Sequence, residues 1–265
     1  MKLIMTLIVT LSVLCAKEYY AKVEPYEIKT ISSNVSAVVL RADEAKEGTL
    51  LDGNDYIVLD DKLDTVELKK ITRKMALLRQ TIAYNQKMIQ NYEALLEKKK
   101  RNFERIKNLK IKSSVEKDRE FYDLVASQNQ YLNTQKELAN ITIQLNDLQL
   151  REAVLKKSIR DKHLSNKGWM LYDLLVHQGA FVTPSTPLAQ LADVSKAKLV
   201  IYLNRDEVEG ALAKTLYING IKSPYKITKI WRIADAKHLS SYKAEIVMDA
   251  PKVFSNLVKV ELRDE

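Results

Sequence analysis

From Ile71 to Ile106 the side chains fit to pack recur at alternating intervals of four and three residues. They are Ile71, Met75, Leu78, Ile82, Asn85, Ile89, Tyr92, Leu96, Lys99, Phe103 and Ile106. This run of heptads predicts a helix with one seam for a partner helix, and polar Asn85 and Lys99 within it fix register at a cost in stability. The pattern breaks at "NLKIKSSVEKD", Asn108 to Asp118, where two serines interrupt it and Ser114 is placed to cap a new helix with Lys117 or Asp118 in its first turn. The second helix is expected to run to about Asp161. Its seam reads Leu138, Ile141, Leu145, Leu148, Glu152, Leu155 and Ile159, preceded by Phe121, Val125, Gln128 and Leu132 in a shifted phase. Two helices of about 45 residues joined by a short turn predict an antiparallel hairpin about 65 to 70 Å long.

The period differs on both sides of the hairpin. Residues 26 to 60 are rich in Val, Ile and Thr and are broken by Gly48 and Gly53, which reads as short strands with tight turns. "HQGAFVTPSTPLAQLADVS", His177 to Ser195, alternates apolar residues between Gly179, Pro184 and Pro187, again strand-and-turn chemistry. A hairpin brings its ends together, so strands before Asp61 and strands after Leu164 are expected to form one split domain at its base. From Lys198 short strands follow with turn signals at Asn219-Gly220 and Ser223-Pro224, which predict a small antiparallel barrel. The fold class is therefore α+β and elongated.

Composition narrows the setting. The 265 residues carry a formal net charge of +9, which fits a basic surface facing nucleic acid, anionic lipid or an acidic partner. The N-terminal "MKLIMTLIVTLSVLCAKEYYA" has Lys2, an apolar run from Leu3 to Leu14 and a small residue at Ala16, the layout of a secretory signal peptide over residues 1–16. The run spans roughly 20 Å against a hydrocarbon core of about 30 Å, which favours a cleaved leader over a membrane anchor. Cys15 raises lipidation as a third fate, although Leu14 stands where a small residue is expected. Once the leader is removed the chain has no cysteine and can form no disulfide. Export also sets nucleic acid aside as a partner.

Candidate chemistry is sparse. His163, His177 and His238 are scattered, with no His or Cys at ligand spacing, and no phosphate-binding glycine loop is present. Lys62 follows an acidic pair much as a carrier domain places its modified lysine, but it leads into the coiled coil rather than sitting on a tight turn. No enzyme activity and no cofactor are expected. The basic run Glu97 to Lys112 reads either as the solvated face of a coiled coil or as a surface drawn to an acidic partner.

The order of parts resembles the periplasmic adaptor proteins, or membrane fusion proteins, of the hemolysin-D-like family. "LVHQGAFVTPSTPLAQLADVSKAKLVIYLNRDEV" is similar to that family's second lipoyl half running into its first barrel strand, and "EGTLLDGNDYIVLDDKL" to its first half entering the hairpin. "ITKIWRIAD" and "YKAEIVMDAP" resemble its barrel. The resemblance implies a split lipoyl-like β-sandwich at 22–60 and 164–195, a coiled-coil hairpin at 61–163 and a β-barrel at 196–265. The lipoyl turns would fall at Gly48, Gly53, Gly179 and Pro184. It also implies an adaptor between an ABC or RND inner-membrane transporter and a TolC-like outer-membrane channel. Such an adaptor would be periplasmic and ring-forming, as a hexamer or a trimer of dimers. Arg105, Leu109 and Ser113 would form the channel-docking tip. Departures include Ala37 in place of a frequent glycine, no Pro-Gly turn before the last strand, and a tip whose Leu-to-Ser spacing is about three residues short. A reduced or absent membrane-proximal domain is expected as well. A second reading of the same residues is an envelope scaffold that self-assembles through its coiled coil without a transport role.

Overall fold

The computed structural model of the chain describes residues 17–234, 238 and 240–264, so the leader expected at 1–16 lies outside the described residues. Two helices, α1 (Lys62–Lys107) and α2 (Ser114–Asp161), pack side by side as an antiparallel hairpin. Neither Gly nor Pro occurs between Gly53 and Gly168, so no residue breaks their backbone ladders. At 1.5 Å per residue each helix is about 70 Å long.

The hairpin rises from one sheet. Strands β2 (Glu24–Ser32), β3 (Ala37–Ala42) and β4 (Leu50–Leu59) precede it, while β5 (His163–Leu174), β6 (Phe181–Val182) and β7 (Pro187–Asn204) follow it. Their order is β7-β5-β4-β3-β6, with β2 on the other side of β7, so strands from the two ends of the hairpin meet at β2-β7, β4-β5 and β3-β6. β4 and β5, which lead into and out of the hairpin, pair directly, with Val58 opposite His163, and the Leu59 N–H donates to the Lys162 carbonyl at 2.8 Å. Tyr56, Ile57, Leu59, Leu171, Leu188 and Leu191 bury completely in the core beneath. The turns around it need unusual backbone: Gly179 sits at φ 88° while its N–H donates to the Val39 carbonyl, and Ser185, just after Pro184, adopts φ 72°. Gly48 and Gly53 also have positive φ.

A second core lies beyond. It takes the far half of β7, then α3 (Arg205–Val208), β8 (Thr215–Ile218), β9 (Ile221–Lys222), β10 (Ile227–Ile230), β11 (Ser241–Asp249) and β12 (Leu257–Arg263). All strand pairs are antiparallel. Strand β1 (Glu18–Lys22), which the sequence pattern does not announce, pairs with β12 and buries Tyr19 and Ala21 here, with Val23 just after it. β7 belongs to both cores: Leu188 and Leu191 face the first, Leu199, Ile201 and Leu203 the second. The expected division between residues 195 and 196 lies within β7, whose middle, Asp193 to Lys196, is its more exposed part.

Candidate functional site

The free end of the hairpin comprises the last turn of α1, a linker and the first turn of α2. α1 ends at Lys107, and the Leu109 N–H donates to the Ile106 carbonyl at 3.0 Å. Ser113 then caps α2. Its hydroxyl accepts from the Glu116 N–H (3.3 Å) and its own N–H donates to the Glu116 carboxylate (3.1 Å). The expected cap at Ser114 is thus corrected by one residue. A capping box needs a side-chain acceptor three positions on, which Ser113 has in Glu116, whereas Ser114 has only the ammonium of Lys117 there. A hydrogen bond from Lys112 (2.9 Å), together with the Ser113 N–H, holds the Glu116 carboxyl below its ordinary pKa.

The three residues expected to dock differ in their freedom. Leu109 is exposed, Arg105 donates to Asn102 Oδ1 at 2.6 Å, and the hydroxyl of Ser113 is engaged in the cap. Two further apolar side chains stand out at the tip, Ile111 at 88 % exposure and Val115. Sequence reasoning passed over them; the available signal was an isoleucine between Lys110 and Lys112, in a linker with no seam position left to hold it. Just below the tip the rings of Phe103 and Phe121 meet at 5.7 Å, with Tyr122 against Phe121 at 6.0 Å.

Along the shaft, Ile71 and Met75 of α1 are buried against α2, and Leu78, Ile82, Ile89, Leu96 and Phe103 are half-buried. On α2, Ile141 and Leu155 are buried and Leu138, Leu145 and Leu148 half-buried. Toward the tip the α2 seam keeps the same phase through Thr134, Tyr131, Ser127 and Leu124. The shifted phase therefore does not form: Gln128 and Leu132 face outward, Val125 is half-buried, and Phe121, although exposed, keeps its ring against Phe103 of α1. The reason is partly electrostatic. Lys99 donates to Asp123 Oδ1 and to Ser127 Oγ, both at 2.7 Å, which draws the polar frame inward. The shaft thus has an apolar base, while in its upper half polar Lys99, Ser127 and Thr134 sit among Ile89, Leu96 and Phe103. At their junction Asn85 is only 5 % exposed, and its Nδ2 has no partner among the described residues.

Charged groups lock the base. Arg151 forms a two-pronged bond to Glu67 (2.7 and 2.8 Å). Asp64 accepts from Ser158 (2.6 Å) and from Lys162 (3.0 Å). Burial pushes the Asp64 carboxyl up, but those donors outweigh it and its pKa lies below the ordinary value. His163, at the exit from α2, reaches Asp55 of β4 (2.7 Å) and Asp61 at the start of α1 (3.4 Å). The bond to Asp55 raises the imidazole pKa, against a smaller opposing effect of burial.

The other sites weighed from sequence stay apart. His177 faces Glu44 (3.3 Å), His238 stacks on Tyr202 (3.8 Å), and Lys62 merely begins α1. Among the described residues no three His, Cys, Asp or Glu side chains cluster to hold a metal ion, and no helix is long and apolar enough to cross a membrane.

This architecture defines a class. No protein-family profile matches the chain and no curated protein matches it by sequence. Solved structures do match. MacA from Actinobacillus actinomycetemcomitans superposes with a TM-score of 0.66 at 13% identity, over 94% of this chain and 80% of that one. The membrane fusion protein Spr0693 from Streptococcus pneumoniae R6 also gives 0.66, at 8% identity, over 94% of this chain and 100% of that one. A MacA–MexA chimera containing the Pseudomonas aeruginosa MexA α-hairpin domain gives 0.53 at 13% identity, over 93% and 81% of the two chains. The chain has the fold of the membrane fusion proteins, at a sequence distance where only the fold is shared.

Proposed function

We propose that the chain is a non-enzymatic periplasmic adaptor linking an inner-membrane transporter, of the ABC or RND type, to a TolC-like outer-membrane channel. One arrangement carries this reading. A hairpin about 70 Å long leaves a sheet between two hydrogen-bonded strands and ends in exposed apolar and cationic side chains. Such a shaft spans distance and does no chemistry. In this reading the core holding Tyr56 and Leu188 is the lipoyl-like domain, the core holding Tyr19 and Leu199 is the barrel, and both pack side by side in a ring around the transport path. The exposed Leu109 and Ile111 would fit grooves between helices of a channel, and Arg105 would supply a planar donor for its carbonyls or carboxylates. Work on the gradient would come from the transporter.

The test is a photo-crosslinking residue at Leu109 or Ile111 in cells that make the channel. Adducts with an outer-membrane protein are expected. Adducts solely between copies of this chain would remove the docking role and leave the scaffold reading in its place.

A further inference from the structure

The positive charge of the chain belongs to the hairpin. Residues 62–162 carry 23 Lys and Arg against 13 Asp and Glu, while the rest of the chain carries 20 against 21. Along the shaft the excess is uneven. The upper reach, residues 97–119, has ten cations against four anions; the middle, residues 80–96 and 120–150, has two against five. Four of the ten are answered within the hairpin: Lys99 by Asp123, Arg101 by Glu97, Lys107 by Glu104 and Lys112 by Glu116. Lys98, Lys100, Arg105, Lys110, Lys117 and Arg119 make no ion pair among the described residues. Crowding of this kind costs stability, since Arg101 faces Lys98 and Arg105 at helical spacings of three and four. A polyanion bound there would relieve it.

Two observations say what sort of polyanion. The cations encircle α1. Lys98 and Arg105 stand one residue before the seam positions Lys99 and Ile106, Lys100 and Lys107 one residue after them, and Arg101 two after Lys99. At roughly 100° per residue they cover both flanks and the back of the helix. Lys98 also lies about 14 Å below the end of α1, beneath the tip rather than on it. The same reach of the shaft carries aromatic rings: Phe121 and Tyr122 are 47 % and 69 % exposed, level with Phe103 and Lys99, and Arg119 is one turn from Tyr122. An exposed ring beside cations suits a carboxylate-bearing glycan. The C–H bonds of a pyranose face stack on the electron-rich ring, and the carboxylates pair with the cations. The base of the hairpin, residues 62–79 and 151–162, has eleven cations against four anions but no aromatic residue.

Resting on the adaptor reading above, in which the shaft crosses the periplasm, we propose that the upper hairpin binds the cell wall, a mesh of glycan strands whose peptide stems carry carboxylates. Polymer lying alongside the shaft reaches all three sides of α1. A protein seated end-on at the tip does not.

The experiment sediments the full chain with peptidoglycan sacculi stripped of bound protein. The chain is expected in the pellet at about 50 mM salt and in the supernatant at about 500 mM. Lys98→Gln, Lys100→Gln and Arg119→Gln together should weaken binding about tenfold, with helix content unchanged by circular dichroism. Tyr122→Ala should weaken it and Tyr122→Phe should not. Lys69→Gln, Lys70→Gln and Lys74→Gln remove the same charge at the base and should leave binding unchanged. The proposal is overturned by a chain that stays in the supernatant at low salt, by full binding of the upper triple variant, or by an equal loss from the basal one. Undiminished binding to sacculi whose carboxylates have been amidated also overturns it. A photo-crosslinker at Lys98 that reaches only an outer-membrane channel, with no sacculus binding, assigns these cations to that protein instead. Loss of sacculus binding with the Leu109 tip adducts intact sinks the wall contact alone; sacculus binding without tip adducts sinks the channel reading alone.

Discussion

Asn85→Leu should make the hairpin more stable. Asparagine and leucine side chains have the same number of heavy atoms and the same branching, so the exchange keeps the shape of a site that is 5 % exposed. It removes a buried N–H donor that has no partner among the described residues, a defect worth about 1 to 3 kcal/mol. It also replaces polar atoms by methyl groups in a seam that is apolar just below, at Ile82, Leu78 and Met75, while fitting strain for a shape-conserving change stays under about 1.5 kcal/mol. The balance is a gain of about 2 kcal/mol, or a rise in Tm of about 4 to 8 °C if the chain melts as one unit. Urea denaturation followed by circular dichroism reads it directly as a higher midpoint at unchanged slope. A lower midpoint would refute the reasoning, and an equal one would mean that the amide is satisfied by water in solution. The gain carries a cost in uniqueness, because a polar seam residue tolerates fewer alternative alignments than a leucine does.

Leu155→Ala removes the side chain that fills the dry base between Ile71 and Met75, and should cost about 2 to 4 kcal/mol in the same urea experiment. Ser113→Ala should destabilise the start of α2 by about 1 kcal/mol, seen as faster hydrogen exchange in its first turn, whereas Ser114→Ala should change it little. The base tie at His163 makes stability depend on pH. Its raised pKa means that the imidazolium's contribution is complete below its ordinary value of about 6.5 and is lost as pH rises through the raised value. His163→Gln should flatten that alkaline limb of a Tm-versus-pH curve. It should leave the acid limb in place, where stability falls as pH drops through the lowered pKa of Asp64.

The hairpin was legible in the chain because its base seam is apolar and nothing breaks the helices. The upper half of α2 was not, and the reason is specific. Its seam is made of Leu124, Ser127, Tyr131 and Thr134, while the more apolar set Phe121, Val125 and Leu132 lies off the seam, so hydrophobicity points to a frame one residue off. β1 escaped notice because it follows closely on the apolar run Leu3 to Leu14 and its partner β12 lies at the other end of the chain. The span of β7 across both cores was masked by Asp193, Ser195 and Lys196, polar residues that read as a break. At the tip, the helix cap could have been placed from the spacing of Ser113 and Glu116 alone. The exposure of Ile111 and Val115 followed only once the seam was known.

The shared strand β7 has a mechanical meaning. Had the two cores been joined by a flexible linker, a push on one would be absorbed as bending before it reached the other. Here eighteen residues of one extended strand run along a single sheet and through both cores, with β2, β5 and β11 bonded along its sides. Tension entering from the hairpin through β5 is taken up by rows of hydrogen bonds loaded together, and is handed to the far core by covalent backbone. A continuous strand thus joins the two cores with no flexible linker between them.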